Sequence, residues 1–102
     1  MIQNGALEIA GSGLAAATTR LGVSAHNLAN LQSEGFRPLR VLSQGVPGGG
    51  TMTQVAPAPQ AREVDLAHEI VSQLLAAREF EASLRVAGSA LDLQGRLIDL
   101  LA

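Results

Sequence analysis

Cysteine, tryptophan, tyrosine and lysine are all missing from this chain, and two phenylalanines are its whole aromatic content. Without cysteine there is no disulfide, no thiol nucleophile and no zinc–thiolate site, which is compatible with either redox compartment. Without aromatics the core must come from Leu, Ile, Val and Ala. Chains of that kind bury their surface along helices rather than around one compact centre. All seven cations are Arg, placed singly on a chain of net charge −2. Nucleic-acid binding needs a clustered basic patch, so no nucleic-acid partner is expected. No run reaches the roughly 18 uncharged apolar residues of a membrane span, so no membrane insertion is expected. The opening stretch "MIQNGALEIAGSG" has no basic region and carries Glu8 among its apolar residues. It does not read as a secretory signal, and export would use another route.

What is present falls into three regions within a single domain of 102 residues. Residues 1–35 hold a helix expected over 5–31, where Leu7, Leu14, Leu21 and Leu28 recur every seven positions. Ala10, Ala17, Ser24 and Leu31 recur at the complementary offset. That spacing belongs to a helix lying along a partner helix. Asn4 is suited to cap its start and Gly35 to turn the chain after its end.

Residues 36–62 gather all four prolines and a cluster of glycines. Leu39 to Gln44 and Thr51 to Val55 alternate partly on either side of "GVPGGG", so this region is either a small β-hairpin or a flexible linker. Residues 63–102 carry the longer helix, expected over 63–101. Ile70, Ala77, Leu84, Leu91 and Ile98 repeat by seven, and Gln73, Phe80, Ala87, Gln94 and Leu101 fill the other seam position. Val71, Leu74, Leu75 and Leu97 widen the apolar face. The two helices would be roughly 40 Å and 55–60 Å long. A hairpin of two helices cannot bury the whole stripe, and the leftover surface should seek other copies.

Candidate chemistry is sparse. Gly11, Gly13 and Ala16 have the G-x-G-x-x-A spacing of a dinucleotide fingerprint, but no strand precedes them and Leu7 and Leu14 keep phase across them. They read as helix-interior residues, which weaken a helix unless close helix approach offsets them; Gly88 and Gly95 pose the same question. His26 and His68 lack ligand spacing, and Ser24 and His26 point to different faces of a helix. Glu81 with Arg85 and Asp92 with Arg96 are spaced for i, i+4 ion pairs. No catalytic residue, cofactor or metal site is expected.

Residues 20–36, "RLGVSAHNLANLQSEGF", resemble the N-terminal motif of bacterial flagellar rod and hook axial proteins, approximately A-x-N-x-A-N-x-x-T-x-G-[FY]. Ala25, Asn27, Ala29, Asn30, Gly35 and Phe36 match it, with Ser33 in place of the usual Thr. The last forty or so residues are similar to the same family's terminal helix, on Val64, Asp65, Leu66, Glu69, Arg78, Phe80 and Ala82. The short proximal-rod members are the most similar, although they carry more β-rich structure in the middle.

The resemblance implies an all-α, elongated helical hairpin or coiled coil with a short Gly/Pro-rich or β-hairpin connection. Its packing surface would comprise Leu7, Leu14, Leu21, Leu28, Ile70, Leu74, Ala77, Leu84, Leu91 and Ile98. It implies a structural subunit of the basal-body rod, leaving the cytoplasm through the flagellar type III export apparatus without a cleaved signal. Partners would be copies of itself, as a homo-oligomer in isolation, and other rod and hook proteins. A soluble helical adaptor or export-associated paralogue that binds rod proteins without polymerising is the alternative.

Overall fold

The computed structural model describes residues 5–101. The element order is α1 (Gly5–Ala29), β1 (Leu39–Gly45), β2 (Thr51–Pro57) and α2 (Leu66–Leu101). The expected cap Asn4 lies outside the described residues.

The all-α expectation is corrected by the middle of the chain. The described residues are 63% helical and 14% strand, because β1 and β2 pair as a two-stranded antiparallel sheet. Leu39 pairs with Pro57 and Gly45 with Thr51, in unbroken register. The physical reason lies in the turn. Gly48, Gly49 and Gly50 all have positive φ, a conformation that side chains resist, and Gly49 N donates back to Val46 O at 3.0 Å. The long helical hairpin remains as the frame around this sheet.

Both helices are shorter than their sequence patterns suggest, and polar side chains set the limits. Asp65 Oδ1 accepts from His68 N at 3.1 Å, so α2 begins at Leu66 rather than at residue 63. At the other junction, Asn30 Nδ2 donates to His26 O at 2.9 Å, which satisfies a free carbonyl in the last turn of α1. Gly35, at φ 69°, then reverses the path.

The β-hairpin rests on α1, and so does α2. Helix α1 is therefore covered from two sides while α2 has α1 alone. The body measures 63 × 24 × 14 Å, and its thinnest dimension barely exceeds one helix diameter. Such a body has little interior. Among the described residues, the buried apolar side chains are Ala10, Ala16, Ala17, Pro38, Ala58, Val64 and Ala76. The largest fully buried side chains are Asn27 and Ser24.

Candidate functional site

Two features stand out: a polar clasp where α1 meets both β1 and α2, and an apolar face on α2 that nothing covers. The clasp centres on Asn27. Its Oδ1 accepts from Leu39 N at 2.8 Å, and its Nδ2 donates to Leu39 O at 2.9 Å and to Glu69 Oε2 at 3.1 Å. The side-chain amide thus does for one residue of β1 what a neighbouring strand would do. Ser24 Oγ donates to Glu69 O at 3.0 Å one turn earlier. Arg20, a turn further back, donates to Glu79 Oε2 at 2.9 Å and to Ser43 Oγ. Three polar side chains of α1 therefore fix α2, and two of them also fix β1. Buried polar groups of this kind are stable only when partnered, and no buried side-chain polar atom lacks a partner among the described residues.

The residues of the two motifs divide between this junction and the surface. Asn27 and Glu69, from opposite motifs, bond directly. Val64 is buried beside the clasp's entry to α2, Asp65 caps α2, and Phe36 lies against His26 with ring centroids 5.6 Å apart. Ala25, Ala29, Leu66, Arg78, Phe80 and Ala82 are exposed. Gly35 is the turn residue already described.

The packing residues divide by helix. Leu7, Leu14, Leu21 and Leu28 are half-buried on α1. On α2, Ile70, Leu74, Ala77, Leu84, Leu91 and Ile98 are all exposed, Leu84 at 54% and Ile98 at 63%. The seam that α2 turns to α1 runs instead through Glu69, Gln73, Ala76, Ser83, Ala87, Ala90 and Gln94, which are small or polar, and ends at half-buried Leu97. Gly13 faces that row so closely that a Cβ there would run into Ser83 Oγ, whereas Gly11, Gly88 and Gly95 face open space. Small residues allow the helix backbones to approach. Helical spacing then places the large α2 side chains on the two flanks of the seam. Ile70, Leu84, Leu91 and Ile98 lie on one flank; Leu75, Val86, Leu93 and Leu100 lie on the other, and Val71 lies opposite the seam.

The surface left open is large. A folded monomer of 10.5 kDa is expected to expose about 5,400 Å², yet this chain exposes 7176 Å². The surplus, about 1,700 Å², is roughly twice the area one partner contributes to an ordinary protein–protein interface. Its apolar part lies mostly on α2. The large apolar side chains exposed along α2, from Ile70 to Leu101, mark an interaction surface.

Sequence reasoning does not find the Arg20–Glu79 and Asn27–Glu69 contacts. The available signal is the set of polar residues at seam positions (Ser24, Asn27, Glu69 and Gln73), which a purely apolar seam would not contain. Of the two expected helix ion pairs, Asp92–Arg96 forms at 3.3 Å and is exposed; Glu81 and Arg85 make none. Among the described residues no cluster of three or more His, Cys, Asp or Glu is placed to hold a metal ion, and no helix is long and apolar enough to cross a membrane. No protein-family model and no curated protein matches this chain.

Proposed function

We propose that this chain is a structural subunit of the bacterial flagellar basal-body rod, exported from the cytoplasm and assembled by helix packing. The observation that carries this reading is the uncovered apolar face of α2, from Ile70 to Leu101. A helix of 36 residues with large apolar side chains on both flanks gains by burying them against neighbours. Two further observations support it. The motif resembling the family's N-terminal signature and the one resembling its terminal helix meet at Asn27 and Glu69. The body is also narrow and long, as a unit packed side by side with its kin would be.

The polar clasp makes the unit rigid at one end and leaves its length free for packing. An adaptor that pairs with rod proteins without polymerising would use the same face but remain in the cytoplasm. The test is to follow the tagged chain in fractionated cells of its flagellated host. Recovery in purified basal bodies, with rods that fail to form when the gene is deleted, is the expected result. A chain found only in the cytoplasm, with complete rods built in its absence, would overturn the proposal.

A further inference from the structure

We propose that a groove between Arg40 and Arg62, at the base of the β-hairpin, receives the α2 tip of a second copy around Asp99 and Leu100. This deepens the self-assembly reading above and rests on it, but not on its cellular setting. The groove has a volume of about 380 Å³ and is lined by Arg40, Ala58, Pro59, Gln60, Ala61 and Arg62. It contains two guanidinium groups and no carboxylate. Neither guanidinium has a hydrogen bond or ion pair among the described residues. Both ends of the segment from Ala58 to Arg62 are held in place by hydrogen bonds. Ala58 N donates to Pro38 O at 2.7 Å, Arg62 N to Phe36 O at 3.1 Å, and Arg37 Nε to Ala58 O at 2.6 Å. A preformed slot with an Ala/Pro floor and two free arginines suits a carboxylate carried on an apolar body.

The far end of α2 has that chemistry. Its last described turn holds no basic residue, and Asp99 has no ion partner there. Leu100 and Leu101 are 82% and 83% exposed, the most open of the large apolar residues. The groove lies beside the start of α2 and the tip at its end, on a body 63 Å long. One copy cannot bring the two together, but the next copy in line can. The contact is head-to-tail, so it propagates instead of closing on itself.

The absence of cysteine makes the test clean. Ala61→Cys and Leu100→Cys are placed in the full chain, singly and together, and the purified proteins are oxidised and run on a non-reducing gel. A disulfide forms only where the two Cα atoms come within about 7 Å. A chain with both cysteines should give a ladder of oligomers. Each single variant should stay monomeric, and a mixture of the two should stop at dimers. Arg40→Glu with Arg62→Glu should reduce the ladder at least tenfold, and adding Asp99→Arg should restore it. All five positions are exposed, and helicity by circular dichroism checks each variant. A double-cysteine chain that remains monomeric, a ladder unaffected by charge reversal, or equal cross-linking by one single variant would overturn the contact. The rod assignment is read from cell fractions and the ladder from purified chain, so each can fail alone.

Discussion

Asn27 on α1 and Glu69 on α2 meet at 3.1 Å across 42 residues of sequence, each almost wholly removed from water at 2% and 6% exposure. The same amide holds both backbone groups of Leu39. One side chain therefore joins the two helices and the sheet.

Removing it should be felt throughout the fold. Asn27→Ala leaves the Leu39 backbone groups and the Glu69 carboxylate short of partners, and should lower stability by about 2–3 kcal/mol in urea denaturation. Asn27→Asp should be at least as damaging, because it sets a second carboxylate against the first. Pairing it with Glu69→Gln restores a donor and should recover much of the loss. If Asn27→Ala unfolds at the wild-type midpoint, the clasp does not hold the fold together.

The two glycines of the Gly11-Ser12-Gly13 stretch should respond differently to alanine. Gly11 faces open space, so Gly11→Ala should gain about 0.8–1 kcal/mol from helix propensity alone. Gly13→Ala meets Ser83 and should gain less or lose stability, with Ser83→Gly in the same chain recovering the difference. Equal gains from both substitutions would mean that the helices do not approach at Gly13. Thermal melts of the three variants beside wild type decide it.

A fold whose buried apolar residues are five alanines, one proline and one valine has little stability of its own. Its melting temperature should therefore rise with protein concentration, because association stabilises the folded form by mass action. Where association is saturated, a tenfold increase in concentration adds up to about 1.4 kcal/mol. Calorimetric scans over a hundredfold concentration range would reveal this; a constant midpoint would contradict it.

The parts of this fold that local chemistry decides were legible in the sequence. Leucines every seven residues mark α1, a mixed row of Ile, Ala and Leu with the same spacing marks α2, and the glycines after Pro47 allow the turn between the strands. The side of α2 that meets α1 was legible only in part. The spacing places Gln73, Ala87 and Gln94 at the seam, but three rows along that helix each repeat by seven, and the second row of the seam differs from the expected one. Hydropathy favours the row of Ile70, Leu84, Leu91 and Ile98 for the seam. Close approach selects Ala76, Ser83 and Ala90 instead, since backbone distance depends on side-chain size. The Asn27 contacts were also beyond reach, because hydrogen bonds between residues 27, 39 and 69 leave no period in the chain.

The central claim is that the outward face of α2 is an assembly surface, and sedimentation equilibrium of two leucine variants tests it most directly. Leu84→Asp lies on the exposed flank. It should keep wild-type helicity, and at dilutions where both chains are monomeric a stability within about 0.5 kcal/mol of wild type, while self-association weakens at least tenfold. Leu21→Asp, half-buried on α1, should lose helicity and association together. A wild-type chain that sediments as a monomer at high concentration, or a Leu84→Asp variant that associates as tightly as wild type, would contradict the account.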